Sequence, residues 1–290
     1  MFTTILDAAA DQRWAQDHRL HLPGALSAET AAALKQWVDE LESWPEAPGR
    51  WMKYFESANE SARVLCRMEN FADYHEPLSE LVRGSATLAL VSRLMGEPAV
   101  LYKEKINFKK PGGGGFTAHQ DAPAFATFGH TYHITMMVAV DDATVDTGCM
   151  EFSTPVPVGT TLRTAADGTV HPELEAQMQW NSLEVKAGDI VCFDSFIPHR
   201  SKANLGMKSR RALFLTYNRE AEGDVRSQYF ADKRRYFPPE CEREEGGAER
   251  LRATSVAVGV SVVVGVSVSM SVGMSVSMRV GVSMIVGVNV

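Results

Sequence analysis

The sequence predicts a mainly β protein with helices at its N-terminal end, and three observations lead there. Between about residues 100 and 220, the short runs AVLYKEKINFKK, HTYHITMMVAV, DIVCFDSF and RRALFLTYN read as strands. Turn-rich PGGGG, DDATVDTG, AADGT and KAGD separate them. Upstream, residues 1–100 read mainly helical. Many short strands at regular spacing predict a barrel or a sandwich.

Ser27 is a fitting N-cap for SAETAAALKQWVDELESW, with Glu29 and Thr30 in the first turn and apolar residues at helical spacing. A second helix is expected through EPLSELVRGSATLALVSRLMG, with Gly96 as its stop. In the β-rich part, Lys103, Lys105, Asn107 and Lys109 share one face of a strand that ends at the glycines 112–115. That face is either the inner wall of a barrel or a solvated edge. The glycines read as a flexible loop beside a cleft, since no P-loop Lys-Ser/Thr follows them. On RRALFLTYN, Arg210, Ala212, Phe214 and Thr216 share one face. From Val256 to Val290 every even position is Val or Met, while odd positions are mostly Ser and Gly. Such a run exceeds ordinary strand length and reads like a translated simple-sequence repeat. We therefore expect a folded domain over residues 1–252 and a disordered or artefactual low-complexity tail over 253–290.

Lys and Arg number 29 against 36 Asp and Glu, for a net charge of −7. That balance gives no electrostatic support for nucleic-acid binding. Cys66, Cys149, Cys192 and Cys241 lack C-x-x-C spacing, which excludes a zinc finger or a disulfide scaffold. No signal-peptide pattern opens the chain and no stretch reads as a membrane span, so a cytoplasmic location is expected. The expected partner is a small-molecule substrate, and nothing in the sequence sets an oligomeric state.

Two His-x-carboxylate triplets occur, His119-Gln120-Asp121 and His171-Pro172-Glu173. The second lies in the polar stretch AADGTVHPELEAQ and reads as a surface loop. The first opens the β-rich half. On an extended chain His119 and Asp121 would face the same side, so both reach one ion. His199, just after the strand that Pro198 stops, is the best third ligand. Two imidazoles and one carboxylate form the facial triad of non-haem Fe(II) oxygenases. Arg210 follows eleven residues later, and inside a barrel it would need an anionic partner. A dicarboxylate cosubstrate offers one whose planar carboxylate suits the guanidinium fork, and the hydroxyl of Ser201 can add to it.

HQDAPAF, DDATVDTGCMEF, GDIVCFDSFIPHRS and RRALFLTYN together resemble the phytanoyl-CoA dioxygenase family of Fe(II)/2-oxoglutarate oxygenases. The resemblance spans roughly residues 20–222. It implies a double-stranded β-helix (jelly-roll, cupin-like) core with helices packed on one side. It further implies that His119, Asp121 and His199 bind Fe(2+), and that Arg210 and Ser201 hold the far carboxylate of 2-oxoglutarate. With O2, such an enzyme hydroxylates or desaturates an unactivated C–H of a small organic substrate. Asp121 stands where related halogenases carry a small residue, so halogenation is not expected.

STPVPVGTTL after CMEF and Met137 in place of a tryptophan depart from the acyl-CoA-acting member. Phytanoyl-CoA itself is therefore not the expected substrate. A small lipid or secondary metabolite fits the family's range. Lys105 is a further candidate contact to 2-oxoglutarate or substrate, and Phe125 and Met137 are candidates for the substrate pocket. Two other readings keep the same fold: a cupin-like metal-dependent isomerase or hydrolase, and a non-catalytic binding protein. An anchoring Arg210 has no clear task in the first, and the intact His119, Asp121 and His199 set argues against the second.

Overall fold

The computed structural model describes residues 6–59, 62–243, 257–268 and 278–289. Helix α1 (Ala8–Asp17) is followed by strand β1 (Arg19–Leu22) and helix α2 (Ala28–Ser43). A hairpin of β2 (Met52–Asn59) and β3 (Ala62–Glu69) leads into α3 (Glu76–Arg83) and α4 (Ser85–Met95). The β-rich half then runs β4 (Ala99–Lys109), β5 (Phe116–His119), the short turn α5 (Ala122–Phe125), β6 (His133–Ala139) and β7 (Met150–Phe152). It continues through α6 (Pro172–Glu175), β8 (Asn181–Leu183), β9 (Ile190–Asp194), β10 (His199–Ser201) and β11 (Arg210–Arg219). Helix α7 (Arg226–Tyr236) packs back against β4.

Seven strands form one sheet in the order β1-β9-β6-β11-β4-β3-β2, and four form a second in the order β5-β10-β7-β8. All the pairings are antiparallel. This is the expected double-stranded β-helix. Strands β12 (Ala257–Val268) and β13 (Met278–Asn289) pair with each other and join neither sheet. The expected boundary at 252/253 lies within 244–256, outside the described residues.

Strand alternation sorts the large sheet into two faces. Ile106, Ile134, Met136, Val138, Ile190, Cys192, Leu213 and Leu215 join Leu34, Val38 and Leu41 of α2 and Leu78 and Leu81 of α3 in one buried cluster. Each such side chain contributes about 1.5–3 kcal/mol on burial. The alternate residues Met137, Ala139, Val191, Phe193, Ala212 and Phe214 turn the other way and meet Met150 and Phe152 of the small sheet. Strands apolar on both faces are what a sheet covered on both sides requires.

The capping expected at Ser27 holds: its side chain accepts from the backbone N–H of Thr30 at 3.1 Å. The helix expected over 76–96 is two helices broken at Gly84, whose extended backbone (ψ 162°) ends one and starts the next. The mainly helical reading of residues 1–100 missed the β2–β3 hairpin. Its strands carry Lys53, Arg67 and Glu69 as buried residues, so they lack the apolar alternation that marks a strand.

Candidate active site

His119 ends β5 and His199 begins β10, and the two are direct cross-strand partners. Their ring centroids are 4.3 Å apart. Asp121 reaches them by a route the alternation argument did not foresee. The strand stops at His119, and Asp121 sits in helical conformation (φ −74°, ψ −31°) at the start of α5. That turn sends the Gln120 side chain away, where it donates to the carbonyls of Thr160 and Phe196 and accepts from Leu162 N–H. It brings Asp121 Oδ1 to 3.8 Å from His119 Nε2. One donor atom from each of His119, Asp121 and His199 lies within 4.8 Å of the other two.

The protonation states suit a divalent cation. His119 Nδ1 lies 2.7 Å from the Thr117 carbonyl, and His199 Nδ1 lies 3.1 Å from that of Ile197. A carbonyl oxygen only accepts, so each Nδ1 carries the hydrogen and each Nε2 keeps its lone pair. Burial, then the neighbouring His199, pulls His119 down to about 3. Burial lowers His199 as well. Burial alone would raise Asp121, but His199, His119, Lys103 and Lys105 hold its carboxyl well below the usual range. Two neutral imidazoles and one carboxylate therefore converge, which fits Fe(II). His171 is elsewhere, at the head of α6, hydrogen-bonded to Arg163.

A cavity opens over this cluster and is lined in addition by Arg210, Ser201, Lys105, Phe214 and Thr216. Arg210 is 1% exposed. None of its three guanidinium nitrogens has a hydrogen-bond partner among the described residues. Burial draws it down to about 10. Ser201 Oγ accepts from Lys109 Nζ at 2.8 Å. The ammonium of Lys109 also donates to the Lys202 carbonyl. Two glycines allow this packing. A Cβ on Gly115 would lie 2.7 Å from the Ser201 carbonyl, and Gly148 holds φ +72° with the Lys202 carbonyl where its Cβ would be. Gly115, the last of the glycines 112–115, therefore presses on β10 and has no room for a side chain.

The inner-face alternative for β4 is the one found. Hydrogen-bonded to β11 on one side and β3 on the other, β4 is an interior strand, and Lys103, Lys105 and Asn107 line the cavity. Phe125 and Met137 do not line it. Phe125 packs with Tyr102 and Tyr229, its ring 4.3 Å from Lys103 Nζ, and Met137 is buried among Val191 and Phe214. Thr135 had no sequence signal: its hydroxyl donates to Asp121 Oδ2 at 3.3 Å. Only its place opposite Thr216 in the sheet register brings it there.

A double-stranded β-helix with a His-Asp-His cluster and a buried, unpaired arginine defines the non-haem Fe(II)/2-oxoglutarate dioxygenases. The chain belongs to the phytanoyl-CoA dioxygenase (PhyH) family, whose model matches residues 16–212. It is 51% identical over 235 residues to a 2-aminoethylphosphonate dioxygenase from uncultured bacterium HF130_AEPn_1, covering 81% of this chain and 90% of that one. A methylphosphonate hydroxylase from Gimesia maris is 38% identical over 256 residues, covering 88% and 96%. Among solved structures, EctD from S. alaskensis superposes with a TM-score of 0.64 at 16% identity, covering 75% of this chain and 77% of that one. The epimerase SnoN gives 0.60 at 19%, covering 84% and 92%. Among the described residues no helix is long and apolar enough to cross a membrane.

Proposed function

We propose that this dioxygenase hydroxylates a C–H of a small organophosphonate, with His119, Asp121 and His199 as the Fe(II) ligands. Arg210 and Ser201 take the distal carboxylate of 2-oxoglutarate. The observation that carries the cosubstrate assignment is Arg210, a buried guanidinium without a hydrogen-bond partner on any nitrogen among the described residues. A buried cation of that kind needs a bound anion to offset its desolvation. The phosphonate class is supported by the two relatives, whose names specify phosphonate substrates.

In the net reaction, substrate C–H, O2 and 2-oxoglutarate become C–OH, succinate and CO2. The metal, when bound, supplies the activation of O2 that side chains cannot. The chain's own contribution is placement. The Nδ1 bonds to Thr117 and Ile197 fix both imidazole planes. Lys109 donates to Ser201 Oγ, which leaves the serine's own hydrogen free for a carboxylate. Phe193 and Phe214 wall the cavity against water.

The test is anaerobic addition of Fe(II) and 2-oxoglutarate, followed by air and 2-aminoethylphosphonate or methylphosphonate. A weak visible charge-transfer band, then succinate in step with a hydroxylated phosphonate by 31P NMR, is the expected result. Absence of the band, and of succinate with any phosphonate, refutes the reading.

A further inference from the structure

Two cations in the cavity remain without an assigned partner. Lys103 and Lys105 lie two apart on the inner face of β4. Lys103 is 7% exposed, and neither ammonium has a hydrogen-bond or ion-pair partner among the described residues. Aromatic rings surround them instead. Lys103 Nζ stands 4.3 Å from the Phe125 centroid and 5.4 Å from that of Tyr229, and Lys105 Nζ stands 5.4 Å from that of Phe214.

The nearby carboxylates are already committed. Glu69 is directly opposite Lys105 in the sheet, yet both its oxygens accept from Lys233 Nζ at 2.5 Å. Glu104, between the two lysines in sequence, turns to the other face and is bonded by Arg226 and Ala72 N–H. Arg200, which also lines the cavity, is neutralised by Glu151 and Glu175. Burial lowers both lysines from the ordinary ammonium range, Lys105 further than Lys103, and Asp121 and Glu69 offset that only in part.

The charges in the cavity call for an anion. The 2-oxoglutarate dianion meets Arg210 and the Lys109 ammonium on Ser201. Lys103 and Lys105 are two further cations on the inner face of β4, and burying them calls for a counter-charge. A phosphonate headgroup can carry two negative charges; its second pKa lies above the value of about 6 of a phosphate ester, and two flanking ammonium groups favour the dianion. A carboxylate or sulfonate carries one charge and leaves one lysine unmatched.

We propose that Lys103 and Lys105 bind the phosphonate headgroup of the substrate beside the His119–Asp121–His199 cluster and set the preference for phosphonates over singly charged analogues. Both lysines act electrostatically on Asp121, and Lys105 on His119 and His199 as well, so an anion bridging them sits against the cluster. The inference rests on the organophosphonate reading above.

The experiment uses protein loaded with Zn(II), which takes the same ligands without turnover, and 2-oxoglutarate. Binding of 2-aminoethylphosphonate is followed by 31P NMR, and competition by taurine and β-alanine tests the same aminoethyl chain on a sulfonate and a carboxylate. Wild type should bind the phosphonate at least tenfold more tightly than either analogue. Lys103→Met and Lys105→Met should each weaken phosphonate binding at least tenfold and close the gap to taurine. Affinity for 2-oxoglutarate, by calorimetry, should stay within about threefold, the spread expected for a site the lysines do not touch. The ligand-free variants should melt no lower than wild type, because each removes an unpaired buried cation; a merely structural lysine would move the melting point down. Where a methionine variant melts lower, the Gln variant of the same residue supplies the binding comparison. Loss of 2-oxoglutarate affinity with phosphonate affinity intact would assign the lysines to the cosubstrate, overturning the proposal while the phosphonate reading stands. If wild type binds neither 2-aminoethylphosphonate nor methylphosphonate, the reading and the proposal fall together.

Discussion

Replacing Arg210 by Met removes a guanidinium that is 1% exposed and has no hydrogen-bond partner on any of its nitrogens among the described residues. If it forks onto a carboxylate, two charge-assisted hydrogen bonds are lost, at about 1.5–3 kcal/mol each. The expected loss of 2-oxoglutarate affinity is therefore about 10²- to 10⁴-fold. The ligand-free protein should respond in the opposite direction. An unpaired buried charge costs several kcal/mol after relaxation, and methionine fills much of the same volume at none of that cost. Each kcal/mol recovered is worth about 2–4 °C in a chain of this size. The sign with pH follows from burial, which draws Arg210 from 12.5 to about 10. The unfolded state then binds more protons between those values, so wild-type stability rises with pH across that window, and the penalty is complete below about pH 10. Thermal melts of wild type and Arg210→Met, with Mn(II) and with or without 2-oxoglutarate, read both effects. Wild type should gain stability from 2-oxoglutarate and the variant should not, while the ligand-free variant melts higher. A variant that keeps the 2-oxoglutarate shift would refute the anchoring role. A variant that melts lower without ligand would refute the unpaired charge.

His199→Ala should reduce Fe(II) affinity at least tenfold by calorimetry and abolish succinate formation, since removing one ligand opens the triad. Glu104→Gln should cost about 3–5 kcal/mol in urea unfolding, because it breaks the buried pair with Arg226 that fastens α7 to β4. Gly148→Ala should lower the melting temperature and weaken 2-oxoglutarate binding together. Its Cβ would meet the Lys202 carbonyl, next to Ser201, at a φ of +72° that already disfavours a side chain. A chain shortened to residues 1–252 should keep the wild-type melting profile and turnover; a loss of either would show that the Val/Ser/Gly/Met segment belongs to the domain.

Much of the candidate site was legible because its residues lie at strand ends with distinct punctuation. Pro198 ahead of His199, and the eleven-residue interval to Arg210, survive as geometry: the cross-strand His119–His199 pair and a guanidinium in the same cavity. The alternation rule placed Arg210, Phe214 and Thr216 on one face correctly, since β11 is regular there. It gave the right neighbours for Asp121 by the wrong route, because no local signal says that a strand ends two residues before a carboxylate and a helical turn takes over. Phe125 and Met137 show the limit for pockets. Both are buried near the site, but whether an apolar side chain faces a cavity or a neighbouring ring is decided by register and packing that composition does not encode.

The β2–β3 hairpin was hidden for a reason tied to chemistry. A strand is recognised by apolar residues at every second position. A wall that faces charged ligands must carry polar residues at those positions, and Arg67 and Glu69 on β3 do so opposite Asn107 and Lys105. The same substitution left Lys103 and Lys105 open to a solvated-edge reading on β4. With β3 unseen, β4 had no second neighbour, and an edge strand with lysines is the ordinary case. Once β3 is paired to it, the lysines lie inside the barrel and need anions. The charges that would serve binding are the ones that erase the hydrophobic pattern of the strands bearing them.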